Sequence, residues 1–371
     1  MVKEKAKKIL IGLSGGIDSA VAAGLLKRQG YMLSAVLIRM KSRNCAPVLE
    51  KNLNCHDDPE VVKTICKKLE IPFNEVDASE VFNDKVIDYF IHQKLLLRSS
   101  DICSQCNSEI IFKYLLDIAD SHGIDIVATG HYAQIVHDTT SGLVRLCRAA
   151  EAQKDQSHQM LRLGQGILKR IITPVGSIPY SMVLKLAAEF GFDKLAEGHR
   201  LCFGDFSSMI EFMESRTAQV LWPKGVIRTL HGNVVGEHAG LFKYRIGQED
   251  DLPLNQFETA SGLKVIAQEL VHQALIVGED KHLAVKEITC NETMWLRSVE
   301  GLRAFKVKAR IAGRPEEKNC RIFVFENDTV QILFDEPVFA PCYGEEVVFY
   351  DDDEIMGGAR ISKIKFPFLM S

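Results

Sequence analysis

The stretch that most limits what this chain can fold into is ILIGLSGGIDSAVAAGLLK, residues 9–27. An apolar run stops at a Ser-Gly-Gly turn, and an alanine-rich segment follows that ends at Gly30. The pattern predicts a strand, a tight turn and a helix with a glycine just past its end. Adjacent glycines at 15 and 16 let the main chain take positive φ and come close to a ligand. Backbone N–H groups of the turn and of the helix start can then converge on a phosphate. Ser14 and Ser19 add hydroxyls, and Asp18 offers a carboxylate to a Mg2+ bridging phosphate oxygens. The lysine of the G-x-x-x-x-G-K-[ST] loop is missing, as is the G-x-G-x-x-G of dinucleotide-binding folds.

Strand and helix go on alternating. MLSAVLIRM, FNEVDA and IDIVATG read as strands, and DPEVVKTICKKLEI, 80–97 and 107–121 as helices. This is the pattern of βαβ units, so the expected class is α/β with a doubly wound parallel sheet. A hairpin and helices around 157–171 and 180–191 follow. From 272 onward, short strands separated by END, DEP and DDDE turns predict an antiparallel sandwich or small barrel. A chain of 371 residues is long for one core. The expected units are residues 1–215, a small central domain over 216–272, and a β-barrel over 273–371.

The basic start MVKEKAKKIL leads into no long apolar segment, and no other stretch is apolar enough to span a bilayer. The expectation is a cytoplasmic protein with no membrane partner. Ten cysteines then read as reduced thiols. A net charge of −4 gives no global pull on nucleic acid, so RNA binding must rest on local basic patches. Between Arg297 and Arg321 stand eight Lys/Arg against three Glu, and on a strand Lys306, Lys308 and Arg310 share a face.

SGGIDS resembles the PP-loop of ATP pyrophosphatases, which cleave ATP between the α- and β-phosphates. DICSQCNSEIIFKYL (101–115), DIVATGHYAQI (125–135), KDQSHQML (154–161), LCFGDFSSMIEFM (201–213) and GEEVVFYDDDEIMGGARI (344–361) follow in order. With them the chain is similar to the tRNA-specific 2-thiouridylases over nearly its whole length. The resemblance implies a PP-loop domain, a central domain and a C-terminal barrel. It also implies ATP-dependent replacement of the C2 oxygen of the wobble uridine by sulfur. ATP with Mg2+ would sit on Gly12, Leu13, Ser14, Gly15, Gly16, Ile17, Asp18 and Ser19, with Ile38 and Gly130 beside it. Cys106 and Cys202 would be catalytic together with Asp18. Asp101, Ile102, Cys103, His131, Lys154, Asp155, Gln156, Lys308, Arg310 and Glu345 fall where the family meets tRNA. A sulfur donor protein, either a cysteine desulfurase or a relay carrier, is the implied second partner.

Two sulfur routes stay open. In one, the resemblance implies that Cys106 and Cys202 share the work: a cysteine persulfide delivers the sulfur and the second cysteine helps to release it or attacks the activated ring, passing through a disulfide. Alternatively, Cys103, Cys106 and Cys202 can hold an iron–sulfur cluster with one open iron site, since C-x-x-C serves disulfides, zinc and clusters alike. Cys45 and Cys55 flank a polar loop without regular ligand spacing and read as structural or exposed thiols. The chain also departs from the family pattern. SSDIC lacks the usual Asn-Pro, EGHRLCF replaces a Gly-Ile-Cys-Phe lead, RIAGR stands in the barrel, and Glu345 replaces a glutamine. Rival readings are a PP-loop ligase or sulfurtransferase acting on another RNA or a small molecule, and an idle RNA-binding or sulfur-trafficking protein.

Overall fold

The computed structural model describes residues 7–40, 58–138, 142–196, 206–255 and 262–367. The chain divides into two compact units. The first comprises Met1–Asp88, Ile102–Asp205 and Asp353–Ile355; the second comprises Tyr89–Asp101, Phe206–Asp352 and Met356–Ser371.

The first unit is built on a parallel sheet. Its strands are β1 (Lys8–Gly12), β2 (Met32–Arg39), β3 (Phe73–Asp77) and β4 (Ile126–Ala128). A hairpin of β5 (Gln134–His137) and β6 (Val144–Cys147) precedes β7 (Ile171–Ile172). The sheet order is β3-β2-β1-β4-β7, with Ile9 paired to Leu33 on one side and to Ile126 on the other. Ile9, Leu10 and Ile11 are all buried, the continuous apolar run of a strand covered on both faces. Chain order reverses about β1, and the loops leaving β1 and β4 therefore meet at the carboxyl edge, where open α/β sheets take ligands.

Helix α1 (Ile17–Arg28) follows the glycine turn, and Gly30 closes it at φ +88°. Its small residues let it approach the helix Tyr180–Phe190 so closely that a Cβ on Gly24 would stand 2.6 Å from the Phe190 ring. Helix α2 (Pro59–Leu69) is capped by Asp58, whose carboxylate accepts the Glu60 N–H at 2.9 Å. The helix expected over 157–171 does not form as one piece. Residues Ser157–Leu163 make 3-10 turns, and Gly164 interrupts them at φ +66°. After a single turn, Ile171–Ile172 joins the sheet, where the Arg170 carbonyl accepts from Val127 and the Ile172 carbonyl from Thr129. Edge pairing of β4 thus overrides local helical preference. The helix expected to begin at 107 begins at Ile102 and runs to Ser121, placing the CSQC segment in its first turns.

The second unit holds two β layers. Strands β8 (Gly225–Thr229), β9 (Val234–His238), β10 (Lys264–Glu269) and β11 (Ala274–Gly278) form a sheet in the order β10-β11-β8-β9, with β11 parallel to β8. The strands that follow are β12 (Ala284–Trp295), β13 (Ala304–Ile311), β14 (Glu317–Phe325), β15 (Thr329–Phe339), β16 (Glu346–Asp351) and β17 (Glu354–Ile364). These six close into an antiparallel barrel, since β17 returns to β12 with Asn291 opposite Arg360. The sandwich alternative is thereby excluded, and closure leaves no free edge to pair with other chains. Val285, Ile288, Ile322, Ile332, Val347 and Phe349 fill the barrel interior.

Candidate functional site

Between β1 and α1 the glycine turn has the conformation its sequence calls for. Gly15 sits at φ +90°, where a side chain would be strained, and Gly16 precedes the helix in extended conformation. A Cβ on Gly16 would make only ordinary contacts, 3.6 Å to Ser14 Oγ and 3.7 Å to the Ala196 carbonyl. Packing within the protein therefore does not itself demand glycine there. The turn is knitted by long bonds: Gly16 N donates to Ser14 Oγ at 3.4 Å, and Ser19 Oγ donates to the Gly16 carbonyl at 3.2 Å. Ser14 N donates to Ser19 Oγ at 3.3 Å. Bonds of this length are weak, so an anion entering the turn displaces little. Leu13, Ile17 and Ile38 are buried, so each can offer a ligand only its main chain.

The loop after β4 closes on this turn. A Cβ on Gly130 would lie 2.6 Å from Ser19 N and 2.8 Å from Asp18 C, so the two segments touch backbone to backbone. Two residues on, the Tyr132 hydroxyl donates to Asp18 Oδ1 at 2.5 Å. Tyr132 is in turn bound at its main chain, where its N–H donates to Gln156 Oε1 at 2.9 Å and its carbonyl accepts from Gln156 N at 2.8 Å. Asp155 Oδ1 accepts from the Ala149 and Ser157 N–H groups, both at 3.1 Å. Lys154 places its ammonium 3.6 Å from the centre of the Tyr180 ring, a cation–π contact. His131 Nδ1 lies 2.9 Å from Thr129 Oγ1, with its ring against Phe112. Of the Lys-Asp-Gln segment, then, all three side chains make contacts within the unit itself. The phenol at 132 is invisible to motif reading; its only hint is an aromatic residue inside ATGHYA.

Cys103 and Cys106 lie three residues apart on the helix from Ile102, hence on one face. Cys106 is buried, and its Sγ lies 3.6 Å from Met40 Sδ. Met40 directly follows β2, which brings Cys106 to the same sheet edge as the glycine turn. Cys202, like Cys45 and Cys55, falls outside the described residues. Among the described residues, no group of three or more His, Cys, Asp or Glu could hold a metal ion. The remaining thiols behave as small hydrophobes. Burial pushes Cys66 up to about 11 and Cys320 up to about 12, which keeps both protonated and poorly nucleophilic.

In the second unit, Lys306 and Lys308 stand exposed on β13 without an ion pair among the described residues. Arg310 on the same face is half-buried and donates to the Tyr350 hydroxyl at 2.7 Å, its guanidinium 5.2 Å from that ring. Glu345 is not the free, solvent-facing charge that its place in the sequence suggests. Its oxygens accept from Arg314 Nη2 at 2.6 and 2.8 Å, and one also accepts the Cys342 N–H at 2.7 Å. Burial pushes the Glu345 carboxyl above its usual range against the opposing pull of Arg314. Asp101 is half-buried. A cavity of about 1100 Å3 opens in this unit, with Lys94, Arg98, Tyr244, Arg314 and Tyr343 among its walls. These residues come from distant stretches, and no sequence motif joins them.

Residues 7–204 match the family described as tRNA methyl transferase HUP domain, and residues 285–361 match the aminomethyltransferase beta-barrel domain. A tRNA-specific 2-thiouridylase from Syntrophotalea carbinolica is 33% identical over 97% of this chain and 100% of its own length. The enzyme of that name from Clostridioides difficile is 30% identical, over 96% of this chain and 98% of its own. Its counterpart from a Nostoc species is 32% identical over 96% and 99%. Among solved structures, NMN synthetase from Francisella tularensis overlaps 58% of this chain and 81% of its own at 15% identity, with a TM-score of 0.33. No helix among the described residues is long and apolar enough to cross a membrane.

Proposed function

The chain belongs to the tRNA-specific 2-thiouridylase family, and from that premise we propose that it is an ATP-dependent tRNA thiolase. MgATP, as substrate, takes the turn at residues 12–19, with the main chain of Ile38 and Gly130 at its side. The C2 oxygen of the wobble uridine attacks the α-phosphorus and pyrophosphate leaves. Base extrusion from the anticodon stack brings that carbon to the sheet edge. A persulfide sulfur on Cys106 then attacks C2, AMP departs with the former oxygen, and Cys202 attacks the Cys106 sulfur. That last step releases 2-thiouridine and leaves a disulfide for an external reductant. Lys308 and Arg310 supply phosphate contacts from the second unit, and His131 and Lys154 supply tRNA contacts from the first. Residues 1–215, 216–272 and 273–371 are the corresponding domains, and the cytoplasm is the compartment.

What carries this reading is the meeting, at one sheet edge, of the glycine turn with its Asp18 carboxylate and the helix bearing Cys106. The missing Walker lysine also fits pyrophosphate release better than γ-phosphoryl transfer. The test is AMP formation by the purified protein with unmodified tRNA, MgATP and a persulfide donor. AMP that appears only with tRNA, in step with 2-thiouridine, supports the reading. AMP formed equally without tRNA favours a ligase acting on a small molecule. A cluster on Cys103, Cys106 and Cys202 is the rival sulfur carrier, and iron and sulfide analysis after anaerobic purification separates the two.

A further inference from the structure

The catalytic carboxylate assigned to Asp18 does not stand alone, and the group that holds it comes from a different motif. Tyr132 is 3% exposed, and its hydroxyl reaches Asp18 Oδ1 at 2.5 Å, the short distance of a charge-assisted hydrogen bond. The ring cannot slide away. Its edge packs on Tyr180 at 6.2 Å between centroids, and its main chain makes paired bonds with Gln156. At Gly130 the same loop presses against the backbone of Asp18 and Ser19 with no room for a methyl group.

We propose that Tyr132 is a positioning residue: its hydroxyl fixes the Asp18 carboxylate for MgATP, and Gln156 fixes Tyr132. A lone aspartate in the first turn of a helix has several rotamers, and the metal on the triphosphate needs one of them. A buried donor with a clamped backbone selects that rotamer before the nucleotide arrives, and the entropy cost of ordering falls on folding rather than on binding. The arrangement also ties the Lys154-Asp155-Gln156 segment to the nucleotide turn by an unbroken chain, from Gln156 through Tyr132 to Asp18. This inference rests on reading residues 12–19 as the ATP turn, but it does not need tRNA to be the acceptor.

The test is a double-mutant cycle on MgATP binding, measured by equilibrium dialysis of the full chain without tRNA. In the wild-type background, Tyr132→Phe keeps the ring and removes only the donor, and is expected to weaken MgATP by about tenfold. In the Asp18→Asn background the same change is expected to cost less than about twofold, because the group it acts through is gone. Gln156→Leu should repeat the pattern at smaller size, a second variant that leaves the Tyr132 ring and hydroxyl in place. Melting temperatures check that each variant is folded. Equal weakening in the two backgrounds would overturn the proposal, as would no weakening in either. If the wild type binds MgATP but thiolates no tRNA, the functional reading fails and the cycle still decides the role of Tyr132. If the wild type binds no MgATP, both fall.

Discussion

Two charged regions of this molecule are built in opposite ways. In the first unit, Asp18 is gripped by a buried phenol and flanked by a backbone that touches Gly130. In the second, Lys306 and Lys308 stand on the outside of a barrel strand, with no carboxylate among the described residues holding them. The contrast follows from the two jobs proposed. Activating an oxygen on the α-phosphorus requires groups fixed in place before reaction, in a site partly closed to water. Attracting a polyanion requires charge density and tolerates mobile side chains, since counterion release depends little on their exact position. Rigid and loose electrostatics thus occur in one chain, and they should respond differently to substitution.

The largest effect is expected at Cys106. Cys106→Ser removes the proposed sulfur carrier and should abolish 2-thiouridine formation, by at least about a hundredfold in single turnover. Next comes Gly130→Ala. Its methyl group would meet the Ser19 and Asp18 backbone at 2.6–2.8 Å, where nothing flexible can yield. A loss of about 1–3 kcal/mol in stability by denaturant titration is expected, together with weakened MgATP binding. A mild outcome there would break the claim that the first region is rigid. Lys306→Ala and Lys308→Ala should each weaken tRNA binding only a few-fold. The slope of log K against log salt should fall by about one for each phosphate that the variant no longer neutralises. An undiminished slope would remove the β13 face from the RNA surface.

The smallest effect is a pH-dependent one at Glu345. Burial raises its carboxyl in the folded state, so the stability tied to this group is present in acid and is lost as pH rises through the folded value. Glu345→Gln does not titrate. The variant should therefore match the wild type at acid pH and gain on it, by about a degree in melting temperature, as pH approaches neutrality. A gain in the other direction would mean that pairing with Arg314 outweighs desolvation.

How far the sequence disclosed these regions depends on what kind of constraint each one imposes. The glycine turn was legible because its positive φ at Gly15 and its helix start restrict residue type at consecutive positions. The parallel sheet was legible because buried strands such as β1 are apolar throughout. The two-residue strand Ile171–Ile172 was not, because its conformation is imposed by β4 and leaves no local trace. Nor was the Tyr132 hydroxyl bond, which joins residues 114 positions apart through one donor. The environment of Glu345 was hidden for a related reason: a carboxylate after a barrel glycine shows no partner until Arg314, 31 positions away, is brought against it. Barrel closure over the sandwich alternative was likewise a matter of β12 meeting β17, which strand periodicity does not encode.

Sulfur insertion into tRNA uridine at C2 is tested most directly by mass spectrometry of nucleosides from the tRNA of cells that lack the protein. 2-Thiouridine should be lost, should return with the wild-type chain, and should stay absent with Cys106→Ser. Unchanged 2-thiouridine in cells lacking the protein would rule out this activity.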